Sequence, residues 1–530
     1  MKKLNLRFRK KNKLEWILFA ASVLLALSGF LALIILVFDE GVGGGGNSGR
    51  RLGNVVPIMD DATLQLQDAS NVNGIAGIAL VLMVLLTLAL PRRFALSPLL
   101  MMIGLMPLGQ QLVVAGLHFT LVRVLLVSGI VRIFVRRETS AIRWTGTDSL
   151  MIWWTIVTMV FGSMLFGFGG SPADHESIWA LFVNRSGDVF NASMGYFFVR
   201  CVVRDYADIL TGIKTLAIVS VPIAILMIIE KVTAHNLLSV FGGIPEITQM
   251  REGHLRGQGA FRHPILAGTF GATATPLFIA LWFCRTKDRF LSVVGTLSGL
   301  VITYTATSSG ALIALVGGIG GLFMWNHREK LSLLRKSSVV VVIILSVVMQ
   351  APVWYVIAKA SNLSGGGQGW HRAYLIDQAV SHFNEWYLFG TTYTAHWGPS
   401  GQVIAANPNM MDITNHYVME GVKGGILKLF FFVALIVSSF RRIGAILRSL
   451  ALPRGPAAFL VWTLGVSLFG HCLSFWSITY FDQLIIVWFW LIAVISSVPI
   501  SNPALSQPLR KYPNETRKPT PRPFFSVPRA

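Results

Sequence analysis

Two polar segments of this chain carry side chains that could bind a phosphorylated ligand. The first has the sequence REGHLRGQGAFRHP and contains Arg256 and Arg262 among its three arginines. The second contains Arg372, preceded by Trp370 and His371. A guanidinium group binds phosphate oxygens in a fixed, bidentate geometry. The arginines therefore predict a site for a phosphate or diphosphate, and the alternative is that they form salt bridges or contact lipid head groups.

Among the histidines, His416 is the strongest candidate for a role in proton transfer. It lies in the sequence DITNHYVMEGVKGG, between Asn415 and Tyr417. A neutral imidazole can accept a proton from a sugar hydroxyl at neutral pH. An interfacial hydrogen bond explains the same position equally well. Weaker candidates in the same polar segments are His254, His263, His371, His382 and His396.

Neither a metal nor a cofactor is expected from the sequence. The close carboxylate pairs Asp60-Asp61 and Asp174/Glu176 lack metal-ligand spacing, and the three cysteines form no CxxC pattern. Nucleotide-binding and hydrolase motifs in a suitable context are also missing. We therefore predict chemistry that depends on the protein's own side chains.

The elements that hold these residues are predicted to be membrane-spanning helices. The chain has 530 residues, of which 53% are hydrophobic and 13% charged, and its mean hydropathy is +0.62. Soluble domains have roughly 25% charged residues. Apolar stretches of about 20 residues recur, the length that crosses a bilayer as a helix. The prediction is an all-α polytopic membrane protein.

The net charge of +21 could indicate nucleic acid, but its distribution indicates membrane orientation instead. Lysine and arginine cluster between apolar stretches and at both ends of the chain. We therefore expect membrane lipids and no nucleic acid as partners. The predicted spans, fourteen in number, are 14–38, 74–91, 95–113, 117–135, 149–168, 188–203, 212–230, 264–284, 290–306, 308–325, 338–358, 422–440, 456–475 and 478–498.

An even number of spans places both termini on the cytoplasmic side. The predicted organisation is a basic N-terminus (1–13), eleven spans within 14–358, a large external loop (359–421), three spans within 422–498 and a disordered cytoplasmic tail (499–530). Both arginine-bearing segments are then external. Arg123 lies near the outer end of its span, where it either lines the same site or extends to the interface.

Four sequence elements between about 250 and 440 follow one another in order. They are GQGAFRHPILAGTFGA, TATSSGALIAL, WHRAYLIDQAVSHFNEWYLFGTTY and NHYVMEGVKGGILKLFFF. Together they resemble the O-antigen ligase and polysaccharide polymerase superfamily of bacterial inner-membrane glycosyltransferases. The resemblance implies a GT-C-like helical bundle with its large loop in the periplasm.

The resemblance also implies roles for individual residues. An undecaprenyl-diphosphate-linked glycan would be the donor, its diphosphate held by Arg256 or Arg262 together with Arg372. His416 would lie near the acceptor. Two departures stand out: the family usually has a His-Asn pair where this chain has Asn415-His416-Tyr417, and many members have arginine where Ser309 stands. Alignment on the asparagine would put Thr414 at the histidine position.

The sequence-based hypothesis is glycan transfer from this donor to an acceptor hydroxyl on a glycan, lipid or protein, at the periplasmic membrane face. A polymerase is slightly preferred over a ligase, and the alternative is a transporter or flippase of lipid-linked glycans. The predicted catalytic residues are His416, Arg372 and Arg262. The predicted diphosphate-binding residues are Arg256, Arg262, Arg372 and Arg123, and the predicted sugar- or acceptor-binding residues are Trp370, His371, Asn415 and Tyr417.

Overall fold

A computed structural model describes most of the hydrophobic part of the chain. The described residues are 70–114, 117–168, 178–251, 253–356, 369–398, 403–404, 407–450 and 452–499. The predicted first span, the basic N-terminus and nearly all of the predicted C-terminal tail lie outside them.

The described residues are mostly helical, which confirms the predicted class of secondary structure. The helices are α1 (Gly74–Ala89), α2 (Ser97–Leu105), α3 (Leu121–Val135), α4 (Gly146–Phe168), α5 (Ile178–Val202), α6 (Tyr206–Thr233), α7 (Pro264–Cys284), α8 (Arg289–Thr305), α9 (Ser309–Phe323), α10 (Leu331–Val348), α11 (Gly369–Ser381), α12 (Phe383–Trp386), α13 (His416–Val422), α14 (Gly425–Ser449), α15 (Pro456–Ser474) and α16 (Asp482–Ser497).

The strands are short and lie between helices. They are β1 (Ser70–Asn71), β2 (Gln110–Val114), β3 (Leu117–Thr120), β4 (Met250–Arg251), β5 (His254–Leu255), β6 (Val403–Ile404) and β7 (Asn407–Met411). The pairs β2–β3, β4–β5 and β6–β7 are antiparallel, and β1 runs parallel to β2.

Five helical segments of the described chain are long and apolar enough to cross a membrane. They are Tyr206–Thr233, Pro264–Cys284, Ser309–Val348, Gly425–Ser449 and Pro456–Ser474. The third comprises α9 and α10, joined through a 3-10 turn at Met324–Lys330. These helices support a multi-pass membrane protein, and the count of fourteen spans stays a prediction.

The predicted span 95–113 is wrong. Helix α2 ends at Leu105, and the chain then forms the β2–β3 hairpin. Pro107 and Gly109 interrupt the helix, because proline disfavours helical geometry in the preceding residue and glycine weakens a helix. Hydrophobicity alone does not reveal this break, because the residues on both sides of it are apolar.

Small residues allow α7, α8 and α9 to pack closely. A methyl group added to Gly271 would lie 2.6 Å from the carbonyl oxygen of Gly299. One added to Gly268 would lie 2.8 Å from the Cβ atoms of Ala306 and Ala311. The start of α9 is therefore held firmly against the start of α7, which follows the first arginine-bearing segment.

The predicted large loop is a folded unit with its own hydrophobic core. Its described part contains α11, α12, the β6–β7 pair and α13. The core includes Leu375, Trp386, Trp397, Met411 and Val422, all buried. This core gives the loop side chains fixed positions.

Candidate functional site

Arg372 is a buried cation on α11. Its side chain donates a long hydrogen bond, 3.4 Å, to the hydroxyl of Ser309 at the start of α9, and only 6% of the residue is exposed. Burial and, to a smaller extent, the nearby charge of Arg251 lower the pKa of Arg372 to about 10. Among the described residues, no carboxylate forms an ion pair with Arg372.

The segment that carries Arg256 is fixed by hydrogen bonds from its backbone. The amides of Gln258 and Gly259 donate to the carboxylate of Glu230 on α6, at 3.1 and 2.8 Å, and Gly257 donates to the carbonyl oxygen of Thr305 at 3.0 Å. Gly259 has a positive φ of 59°, which glycine adopts readily. These contacts hold the buried Arg256 between α6 and α8.

His263 lies near both Arg256 and Arg251. Burial lowers its pKa to about 3, and the charges of Arg256 and Arg251 add to the effect. Its Nδ1 accepts a hydrogen bond from the amide of Ile265 at 3.2 Å and so caps the N-terminus of α7. His263 is therefore a neutral cap within a positive environment, to which the N-terminus of α7 adds its dipole.

Arg262 differs from Arg372 because a carboxylate lies beside it. Its Nη1 is 3.3 Å from Oδ2 of Asp482, the first residue of α16, and both side chains are partly exposed. The next residue, Gln483, donates to the carbonyl oxygen of Ala260 at 2.7 Å. The chain segment before α7 is thereby attached to the start of α16.

His416 is buried at the start of α13. Its backbone amide donates to the carbonyl oxygen of Phe475 at 2.8 Å, and its Nδ1 accepts from the backbone amide of Tyr480 at 3.2 Å. Because Nδ1 is an acceptor, the proton of the neutral ring is on Nε2. Burial lowers the pKa of His416 to about 4. The ring is thus neutral near pH 7, with an N–H that can donate from Nε2.

The ring of His416 packs against Phe432, Phe475 and Tyr480, and two buried polar residues, Asn415 and Glu420, lie close to it in the sequence. Its Nε2 has no hydrogen-bond partner among the described residues, and the same holds for Nδ2 of Asn415. Unsatisfied buried polar atoms are uncommon in folded proteins, so these two groups are candidates for contact with a substrate. Glu420, one helical turn away, accepts a hydrogen bond from Trp154 at 2.9 Å and pairs with Lys428 at 3.4 Å.

The turn between α15 and α16, residues 475–481, connects the parts of the site, and the sequence did not single it out. Besides its two bonds to His416, it contains Thr479, which donates to the carbonyl oxygen of Ile413. It also contains Ser477, which packs against Gly310 of α9 near Arg372. A methyl group added to Gly310 would lie 2.2 Å from the Ser477 hydroxyl and 3.9 Å from Nη2 of Arg372. The sequence signal that could have identified this turn is the set of polar residues in FWSITYFD, which lies between two apolar stretches.

The other predicted residues have varied positions. Trp370 is half exposed and stacks on Tyr374 with ring centroids 4.9 Å apart. Burial lowers the pKa of His371, which also hydrogen bonds to the backbone of Asp412. Asn415 caps α13 by accepting from Val418 at 3.2 Å.

The two remaining predicted residues, Tyr417 and Arg123, contact α15 and α5. Tyr417 donates from its hydroxyl to the carbonyl oxygen of Cys472 at 3.2 Å. Arg123 donates to the side chain of Asn191 on α5 at 3.3 Å and packs against Gly187 of the same helix. The described contacts of Arg123 are therefore with α5, whereas those of Arg372 are with α9.

No protein-family model matches this chain, and no curated protein matches it either. The functional argument therefore depends on the site and on the motifs themselves.

Proposed function

We propose that this protein is a glycosyltransferase of the bacterial inner membrane. It would transfer a glycan from an undecaprenyl-diphosphate donor to an acceptor hydroxyl at the periplasmic face. The motif order between about 250 and 440, which resembles the O-antigen ligase and polysaccharide polymerase superfamily, supports the choice of donor.

The observation that carries the proposal is the buried Arg372. A buried charge is costly unless an opposite charge compensates it. Arg372 has no carboxylate partner among the described residues, and Arg251 adds a second positive charge nearby. A bound dianion such as a diphosphate would compensate both. The same cations would stabilise the negative charge that develops on the diphosphate as the glycosidic bond breaks.

His416 is better suited to orient a substrate through a hydrogen bond than to remove a proton from it. Its Nδ1 is already occupied by the amide of Tyr480, and its Nε2 carries a hydrogen. An Nε2–H group can donate to the oxygen of an acceptor hydroxyl and hold it for attack. Because the pKa of His416 is about 4, the ring would keep this neutral form at neutral pH.

The transporter alternative predicts charges inside the membrane that await a ligand. Two charges in the candidate spans instead have protein partners: Lys214 lies 2.6 Å from Asp288, and Glu230 accepts from two backbone amides. These pairings favour the transferase, and the transporter stays as an outcome of the test.

The test replaces Arg372, Arg262 and His416 singly with alanine in a host that makes the glycan. Arg289→Ala is the matched arginine control, because Arg289 is exposed and contacts Trp282 instead of the site. His235→Ala is the matched histidine control, because His235 is exposed and pairs with Glu246. Membrane levels of each variant are measured alongside the lipid-linked glycans.

The lipid-linked products separate the possible activities. Single repeat units that accumulate on the periplasmic side would indicate a lost polymerase. Long lipid-linked chains that never reach the acceptor would indicate a lost ligase. Repeat units that stay on the cytoplasmic side would indicate a transporter. Normal glycans in all three site variants, at normal protein levels, would refute the transferase proposal.

A further inference from the structure

Three potential metal ligands come together in the predicted large loop, at the end of α11 and beyond. They are His382, Glu385 and His396, and one ligand atom of each lies within 4.8 Å of the others. Nε2 of His396 is 3.0 Å from Oε1 of Glu385. The sequence did not indicate this group, because His396 is separated from the other two by the intervening chain and no familiar motif has this spacing.

Hydrogen bonds define the tautomer of His382 and the orientation of the Glu385 carboxylate. Nδ1 of His382 is 2.9 Å from the carbonyl oxygen of Gln378, and since a carbonyl only accepts, Nδ1 carries the proton. The lone pair of His382 is therefore on Nε2. Trp397 donates from Nε1 to Oε2 of Glu385 at 3.0 Å, so Oε1 is the oxygen that faces Nε2 of His396, and a bound metal ion would replace the proton between these two atoms. Histidine ligands of metal ions usually have such a second hydrogen bond, which fixes tautomer and ring orientation.

Ring stacking makes the group rigid. His382 stacks on Trp397 with centroids 5.4 Å apart, and His396 stacks on Tyr393 at 5.0 Å. Trp397 is almost completely buried in the hydrophobic core of the loop. The three ligands are thus attached to a folded unit, and all three stay accessible because they are at its surface.

We propose that His382, Glu385 and His396 form a binding site for a divalent transition-metal ion of the zinc type. Two imidazole nitrogens and one carboxylate oxygen are a ligand set that Zn²⁺ prefers, with a fourth position open to water. The alternative explanation is an ion pair between Glu385 and His396, which would account for two of the three residues. It does not account for His382, whose ring lies 5.0 Å from that of His396 and whose Nε2 is unprotonated.

A bound ion would connect α12 to the turn that contains His396 and Trp397. It would therefore stabilise the folded loop from which Arg372 projects. This role is independent of the transfer reaction, so the site can be tested on purified protein without a glycan substrate.

The test uses the full chain, purified in detergent without a polyhistidine tag and stripped with EDTA. Zn²⁺ affinity is measured by competition with a fluorescent zinc chelator, and Co²⁺ is used as a spectroscopic probe of the ligands. We expect one tight Zn²⁺ per chain. His382→Ala, His396→Ala and Glu385→Gln should each weaken binding by more than the roughly 10- to 100-fold typical of outer-shell changes.

Two further variants make the result specific. Trp397→Phe keeps an aromatic ring but removes the donor to Glu385, and it should weaken binding by about 10- to 100-fold. His235→Ala breaks a His–Glu contact of 2.7 Å that has no third ligand in the described structure, and it should change nothing. Wild-type affinity in His382→Ala or His396→Ala would overturn the proposal, as would an equal loss in His235→Ala. Thermal unfolding of the metal-free variants shows whether each one folds.

Discussion

Arg372 and Ser309 lie 3.4 Å apart although 63 positions separate them in the sequence. This contact places a cation from the folded loop against the first turn of α9. The start of α9 has an uncharged serine at this position, so the positive charge there is supplied by Arg372 of the loop.

Replacement of Arg372 should abolish most of the transfer activity. We expect Arg372→Ala to lower the rate by about 100-fold or more, the effect of removing one preorganised group that stabilises transition-state charge. Arg372→Lys should recover part of it, because an ammonium keeps the charge but lacks the bidentate geometry. The measurement is the transfer rate with a purified lipid-diphosphate donor. Arg289→Ala serves as the control, and a fully active Arg372→Ala protein would contradict the prediction.

Asp482 should moderate the charge of Arg262. The pair is partly exposed, so its loss should change the free energy of unfolding by no more than about 1 kcal/mol. Asp482→Asn should therefore leave stability nearly unchanged and lower KM for the anionic donor, because Arg262 loses a competing carboxylate.

The backbone at Asp482 supplies a second variant for comparison. Its φ is 46°, a conformation that asparagine tolerates and a β-branched residue does not. Asp482→Val should consequently cost about 1–3 kcal/mol. Loss of activity in a stable Asp482→Asn protein would show that the carboxylate has a direct role.

The length of the apolar stretches predicted about half of the described helices to within a few residues, and it misplaced one end of α5, α10 and α14 by nine or ten residues. The span 264–284 and α7 coincide, and the span 456–475 differs from α15 by one residue. The prediction failed at 95–113, where Pro107 and Gly109 end α2 inside an apolar stretch. Apolar composition alone does not distinguish a membrane-spanning helix from a helix that is followed by a hairpin.

The arginines could be singled out because the predicted topology places them outside the cytoplasm, where positive charge is unusual. Their partners could not. Ser309, Asp482 and Tyr480 are ordinary residues whose importance depends on which helices are neighbours. The tautomer of His416 follows from the amide of Tyr480, which is 64 positions away. Contacts between distant segments are set by tertiary packing, which a single sequence does not reveal.

His416 should make the protein less stable in acid without controlling activity near neutral pH. Its pKa is about 4 in the folded protein and about 6.5 when unfolded, so the unfolded state binds more protons between these values. The stability is fully present above pH 6.5 and falls as the pH falls toward 4, by about 3 kcal/mol for this group.

The variant His416→Gln tests this dependence because glutamine does not titrate. Its unfolding temperature, measured in detergent from pH 7.5 to 4.5, should fall less steeply than that of the wild type. His235→Gln is the control, because His235 is exposed. Near pH 6.5, the pH profiles of kcat/KM for the wild type and for His416→Gln should have the same shape. An inflection that is present in the wild type and absent from His416→Gln is not expected. Such an inflection would restore the role of general base.

Gly425 should be essential for joining the folded loop to α14. Its φ is +74°, and an added methyl group would lie 2.1 Å from the carbonyl oxygen of Leu388. The neighbouring amide of Ile426 donates to the carbonyl oxygen of Tyr387 at 2.8 Å, so the backbone cannot move away without breaking this contact. Gly425→Ala should cost more than the roughly 1–2 kcal/mol of the left-handed conformation alone.

The unfolding temperature in detergent measures this cost, and Gly320→Ala is the matched control. Gly320 is in the interior of α9, and an added methyl group there would meet nothing within 4 Å. Alanine should leave stability unchanged or raise it by up to about 1 kcal/mol, because glycine is a poor helix former. A Gly425→Ala protein as stable as Gly320→Ala would show that the loop is attached to α14 in another way, and the position of Arg372 would then need a different explanation.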